Sequence, residues 1–215
     1  AHFEKPVIAI VIDDMGVSKK RTKDINKLNY PITSSFLTYS EDLVPQIAES
    51  EKAGHEIIAH IPMEAITKKD VAPDVLKTSM SGEEVIKRLN SMLEKFEGIK
   101  GINNHMGSKF TENDKKMADV MLVLKDKGLF FLDSRTSAKS AGKTAAEKGG
   151  VPYATRNIFL DNENNLEYIL GQLRAPERVA KKNGYAIAIG HPKSQTYKAL
   201  KQWLPEAQEK GFTLV

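Results

Sequence analysis

Short apolar runs alternate with longer amphipathic stretches along the whole chain, and each kind has its own period. Residues 7–12, 32–37, 56–60, 101–104, 129–133, 153–160 and 186–189 are brief and nearly continuous in apolar character, with 212–215 as a last candidate. Runs of this kind predict strands buried on both faces, as in a parallel sheet. Between them the period changes to 3.6. The clearest case has Val85, Ile86, Leu89, Met92, Leu93 and Phe96 on one helical face. Ser81 and Glu84 make a capping box at its start, and Gly98 closes it. Further helices are predicted over about 19–28, 42–53, 111–127 (capped by Thr111, closed by Gly128), 164–182 and 195–210.

Seven strand-helix alternations predict an α/β fold with helices covering a parallel sheet. That many units close more readily into a barrel than they lie open, so an incomplete or distorted (β/α) barrel is expected. An open doubly wound sheet is the runner-up. Residues 67–80 show little periodicity and are expected to form a long loop over the site. No repeat, low-complexity tract or linker divides the chain, so 1–215 is expected to be a single domain.

The polar residues that carry chemistry cluster at the ends of these apolar runs. Asp13-Asp14 follows the first, His60 ends the third, Asn103-Asn104-His105 follows Gly101-Ile102, Asp133-Ser134 ends the fifth, and His191 follows Gly190. A carboxylate or imidazole at a buried strand end is costly unless something binds it. In α/β folds the carboxyl ends of strands are where ligands and metals sit. One Asp of the Asp13-Asp14 pair and two His, His60 and His105, on separate strands suit Zn²⁺ or another first-row divalent ion. Glu64 lies four residues beyond His60. His191 is a candidate acid, because an imidazole titrates near neutral pH. The competing reading makes it a cap of the next helix.

The remaining assignments are less specific. Asn103, Asn104 and Ser108 are expected to bind substrate or support the ligands. Asp133 is expected to orient a ligand histidine or a catalytic group, with Arg135 pairing with it or holding an anionic substrate group. Arg156 is placed to neutralise an inward carboxylate. Asp161 reads as a helix N-cap, and His55 and Trp203 as core. Tyr39, Tyr153 and Tyr197 are candidates for stacking on sugars.

Composition narrows the field. The 215 residues include no cysteine, which excludes disulfides and thiolate ligands and is compatible with export. The net charge of +4 is spread over pairs such as Lys19-Lys20, Lys68-Lys69, Lys115-Lys116 and Lys181-Lys182, read as solvated helix faces. No basic run is interleaved with aromatics, so nucleic acid is not an expected partner. No apolar stretch approaches the roughly 20 residues of a membrane span. The start, Ala1 to Pro6, has no signal-peptide core, so an export signal is expected to be absent from this sequence.

Five segments together resemble the divergent polysaccharide deacetylase family, relatives of the chitooligosaccharide and peptidoglycan deacetylases with the NodB-type fold. They run from Ile10 to Gly16 (IVIDDMG), His60 to Pro62 (HIP), Gly101 to Thr111 (GINNHMGSKFT), Phe131 to Thr136 (FLDSRT) and Ala188 to Pro192 (AIGHP). The resemblance implies a distorted seven-stranded (β/α) barrel and metal-assisted hydrolysis of an acetamide. By position, Asp13 resembles the general base, Asp14 the metal-binding aspartate, His60 the first ligand histidine, and His191 the histidine that protonates the departing amine. Two departures stand out. Glu64 occupies the place of the second histidine in the usual His-x-x-x-His pattern, so the third metal ligand is expected to be His105 from the next strand, with Glu64 as the alternative. The arginine-proline motif that positions the base is missing; Asn103, Asn104 or Arg135 are the candidates to replace it.

Three functions compete. The first is a zinc-type deacetylase acting on an N- or O-acetylated cell-envelope polysaccharide or peptidoglycan-like glycan, exported to the periplasm or cell exterior. The second is a non-catalytic envelope module that keeps the barrel to bind glycan or act as a scaffold. The third is a metal hydrolase of peptide amides or phosphoesters. Presence of both Asp13 and His191 favours catalysis, since a purely structural ion needs neither.

Overall fold

The computed structural model describes residues 5–67 and 72–215. Residues 1–4, the Lys68-Lys69 pair and positions 68–71 of the expected loop lie outside the described residues. The elements in chain order are β1 (Val7–Met15), α1 (Lys19–Asn26), β2 (Thr33–Leu37), α2 (Leu43–Lys52), β3 (Glu56–Met63), α3 (Gly82–Leu93), β4 (Gly101–Met106) and α4 (Asp114–Lys127). The second half adds β5 (Phe130–Asp133), α5 (Gly142–Gly149), β6 (Tyr153–Thr155), β7 (Ile158–Phe159), α6 (Leu166–Gln172), α7 (Arg174–Asn183), β8 (Tyr185–Gly190), α8 (Ser194–Glu209) and β9 (Thr213–Leu214). The strands hydrogen-bond in the order β6-β5-β4-β3-β2-β1-β8-β7, with β9 added to β1.

The chain's contacts group it into two compact units. The first comprises residues 1–35, 45–57 and 156–215. Its centre is β1, paired in parallel with β8 from Val7 opposite Tyr185 to Ile12 opposite Gly190, while β7 adds to the far side of β8. The successive residues Ile10, Val11 and Ile12 of β1 and Ala188 and Ile189 of β8 are buried, as strands covered on both faces require. Helix α7 packs on β1 and β8, and α6 on α8. Trp203 of α8 is core, as expected, with its Nε1–H donated to Glu177.

The second unit comprises residues 36–44 and 58–155. Here β3, β4, β5 and β6 pair in parallel, with His60 opposite Asn103 and Pro62 opposite His105. The periodic face of α3 buries Val85, Leu89, Met92 and Leu93, and the predicted capping box of Ser81 and Glu84 is present in both directions. Leu76, in the expected loop, is buried and forms a parallel bridge to Met63.

Several expectations change. The single strand predicted over 153–160 is two, because 153–155 pair with β5 while 158–159 pair with β8. Asn157 sits at the break, donating its N–H to Ile187 O and accepting the N–H of Ile187 on its side-chain oxygen. The helix predicted over 164–182 breaks after Leu173; Pro176 has no N–H to continue the ladder. Asn113, not Thr111, caps α4, while Thr111 bonds the Gly107 carbonyl. Helix α5 was not predicted: it buries only Ala145, Ala146 and Gly142, too small a stripe to register as a hydrophobic period.

Candidate active site

The predicted site residues are distributed over both units, with Asp13 and Asp14 near the end of β1, His105 next to last in β4, Asp133 last in β5 and His191 just past β8. His60 does not end its strand as expected, since β3 continues for three more residues to Met63. In the second unit, parallel register sets His60 beside Asn103. The pleat puts Asn103 and His105, two residues apart, on one face and Asn104 on the other. His60 is 1% exposed, and its Nδ1 lies 2.6 Å from Asn103 Oδ1. A carbonyl oxygen only accepts, so Nδ1 carries the proton and the lone pair is on Nε2. That Nε2 lies 3.1 Å from His105 Nδ1, with the rings edge to face at 71°. A left-handed Met106 (φ 52°) and Gly107 (φ 91°) turn the chain directly after His105. A Cβ on Gly107 would lie 2.8 Å from Met63 Cβ, so glycine is required there.

In the first unit, His191 follows β8 and is held by a buried carboxylate. Asp161 Oδ1 accepts from His191 Nδ1 at 2.8 Å, and Oδ2 accepts from the His191 N–H at 2.6 Å and the Thr196 hydroxyl at 2.7 Å. His191 therefore does not cap α8, whose N-cap is Lys193 without a side-chain bond. Its free ring nitrogen, Nε2, is 3.9 Å from Asp14 Oδ2. Burial alone pushes the His191 pKa down, but the Asp161 bond and the charges of Asp161, Asp13 and Asp14 outweigh it and hold the value above the ordinary imidazole. Burial likewise opposes ionisation of Asp161, and the donors on its oxygens reverse that, keeping its pKa low. Asp14 is left-handed at φ 55°, an unusual backbone state for a non-glycine residue. Phe159 stacks near the His191 ring, and the Arg156 guanidinium lies over the other aromatic partner, 3.8 Å from the Phe159 centroid.

Asp161 is the partner of His191 that sequence reasoning missed. Read as a helix cap, it does not cap α6, which starts five residues later at Leu166 and is capped by Asn165. The available signal was its place directly after the apolar Ile158-Phe159-Leu160, the same signature that marked Asp13 and Asp133.

Other predicted residues do structural work. Glu64 is not beside the histidines: its Oε1 accepts from Lys109 Nζ at 2.7 Å, and its Oε2 accepts from Thr78 N and Oγ1, each at 2.7 Å. Burial would raise its pKa, yet the Lys109 ammonium and the Thr78 donors hold it at about 2. Asp133 orients no imidazole; its oxygens accept from Arg135 N, Ser140 Oγ and the Tyr153 hydroxyl. Asn104 ties β4 to the segment after β5, accepting from Ser134 N and donating to Met106 O and Thr136 Oγ1. The Ser108 hydroxyl accepts from Ile66 N. The Tyr153 hydroxyl donates to Asp133 Oδ2 at 3.1 Å. His55 is the core histidine expected, bonded to Ser34 and Leu28.

Because the folded pKa of Glu64 lies below the ordinary carboxylate value, its contribution is fully present above about pH 4.5 and is lost as pH falls toward 2. Glu64→Gln is expected to cost on the order of 2 kcal/mol at neutral pH. The gap between the urea midpoints of parent and variant should close in acid; a gap unchanged at pH 3 would refute the clamp.

The sequence profile described as divergent polysaccharide deacetylase matches residues 10–215. The chain belongs to that family. It is 34% identical over 207 residues to an uncharacterized Haemophilus influenzae protein, covering 96% of this chain and 74% of that one. It is also 34% identical over 195 residues to Escherichia coli YibQ, covering 91% of this chain and 61% of the relative, so it spans about three fifths of that protein's length. Among solved structures, an uncharacterized Agrobacterium tumefaciens protein superposes with a TM-score of 0.95 at 26% identity, over 100% of this chain and 89% of that one. The catalytic domain of a peptidoglycan N-acetylglucosamine deacetylase from Eubacterium rectale gives 0.58 at 15%, over 100% and 90%. A family 4 carbohydrate esterase pseudoenzyme from Bacillus anthracis gives 0.56 at 14%, over 99% and 64%. The expected fold class, an α/β fold of the NodB-type deacetylase barrel, therefore stands, with nine strands in the sheet where seven were expected. Since this fold carries both an enzyme and a pseudoenzyme, activity in the family has to be argued from residues.

Proposed function

We propose that this chain is a metal-dependent hydrolase that removes N- or O-linked acetyl groups from a cell-envelope polysaccharide. The observation that carries the reading is the paired ring nitrogens of His60 and His105, 3.1 Å apart, with His60 fixed by Asn103 so that its lone pair faces the gap. Two nitrogens bound tetrahedrally to one zinc ion at about 2.0–2.1 Å would lie about 3.3 Å apart, so the pair fits a shared ion. Asp14, by its place directly after Asp13 in the sequence, is taken in this reading to supply the carboxylate that completes the set. One carboxylate and two imidazoles make a donor set appropriate to Zn²⁺.

A bound divalent ion supplies Lewis acidity toward an acyl carbonyl and toward water. The remaining steps belong to the protein. Asp13, 3% exposed, accepts a proton from the attacking water. His191 Nε2 delivers its proton to the departing nitrogen or oxygen, and Asp161 at Nδ1 keeps that proton on the ring until it is needed. The C–N or C–O bond breaks, the water oxygen stays on the acyl carbon, and acetate and a free amine or hydroxyl result. Envelope location follows from the glycan substrate; no described helix is long and apolar enough to cross a membrane.

The test is acetate release from acetylated chitooligosaccharides and peptidoglycan fragments by zinc-loaded protein, with chelated protein and Asp13→Asn as controls. Release that disappears in both controls is expected. A metal-loaded protein that releases nothing from any acylated glycan would return the chain to a binding or scaffolding role.

A further inference from the structure

A cleft of about 260 Å³ opens at the carboxyl ends of β3 and β4, wholly within the second unit. Its walls are Tyr39, Pro62, Met63, Pro73, Val75 and Met106. His105 forms part of the lining, so the cleft is continuous with one of the candidate ligands. No lysine, arginine or carboxylate lines it among the described residues. A sugar ring presents hydroxyl groups in several directions, and each would need a polar partner here. Tyr39 and His105 are the lining residues with polar side chains. Thioether, prolyl and valyl surfaces suit a hydrocarbon instead, and methionine adapts to flexible chains.

We propose that this cleft receives the hydrocarbon tail of the acyl group being removed, so that the substrate carries an acyl chain longer than acetyl. The inference rests on the hydrolase reading above, because only a carbonyl held at His60 and His105 directs its alkyl substituent along the His105 wall. Hydrolysis then breaks the acyl C–N or C–O bond, leaving a short-chain carboxylic acid in the cleft and an amine or hydroxyl on the glycan.

The experiment titrates acetamide, butanamide and hexanamide into metal-free protein and follows the methyl resonances of Met63 and Met106 among the seven methionines. Affinity should rise about fourfold per methylene, the equivalent of ~0.8 kcal/mol for each buried CH₂. Val75→Trp, which fills the cleft, should abolish the dependence on chain length; Pro73→Trp at the exposed rim does the same without disturbing a buried position. Equal affinity across the three amides, or a chain-length dependence that survives both substitutions, would overturn the proposal. So would N-acetylglucosamine perturbing the same two methyls as strongly as hexanamide, which would make the cleft a sugar subsite. Since no metal is present in this titration, a negative result leaves the metal-dependent hydrolase reading intact, and a failure of metal retention leaves the titration interpretable.

Discussion

His60→Ala and His105→Ala are each expected to strip the protein of its ion. Parent protein, loaded with zinc and desalted, should retain about one equivalent by elemental analysis, and each variant should lose more than about 100-fold in affinity. The bound follows from the outer contacts: removing a hydrogen-bond partner of a ligand histidine already costs about 10–100-fold. Asn103→Leu supplies that lesser case, since Asn103 Oδ1 is what holds the His60 ring by its Nδ1. The graded series, ligand above orienting residue, separates a coordination site from a general loss of structure. His60→Ala also leaves a buried Asn103 oxygen without its donor, a stability cost of about 1–3 kcal/mol. His105 is half-buried, so its alanine variant should be folded and metal-poor. Full retention of zinc by both histidine variants would remove the metal site and with it the proposed chemistry.

His191→Ala should keep the ion and lose turnover by about 10²–10⁴-fold, the range that general acid–base groups contribute. Asp161→Asn tests how that acid is prepared. The carboxylate raises the His191 pKa, so its removal should lower it, and the alkaline limb of the kcat profile should move to lower pH. A purely structural role for Asp161 predicts reduced stability with an unmoved profile. Asp161 also accepts the His191 N–H and the Thr196 hydroxyl, so some loss of stability is expected as well. The pH profile distinguishes the two effects. Wild-type turnover in His191→Ala would dismiss the imidazole as the proton donor.

Two side chains expected at the site serve elsewhere. The backbone and carboxylate of Glu64 join the segments carrying Leu76, Thr78, Lys109 and Phe110. An acidic residue in that place became a brace because two oxygens can accept three donors from two separate segments, which an imidazole cannot. Second, the orienting of His60 passed to the neutral Asn103 rather than to Asp133. Asp133 is occupied by Arg135 N, Ser140 and Tyr153, and serves the turn after β5.

Local pattern was enough to locate most strands and helices, and to place Asp13, Asp14, His105 and His191 at strand ends, though β3 runs three residues past His60. It was enough because a buried strand announces itself by continuous apolar residues, and a polar group that closes such a run stands out against it. Caps were legible for the same reason: Ser81 and Glu84 interact across three residues of chain. Partnership was not legible. His60 meets Asn103 across 43 residues, and His191 meets Asp161 across 30, through parallel register that no short window of sequence contains. The break between β6 and β7 has the same origin, since which strand each half joins depends on neighbours far along the chain. Hydrophobic period selects the elements; hydrogen-bond geometry between remote elements decides which of their polar side chains act together.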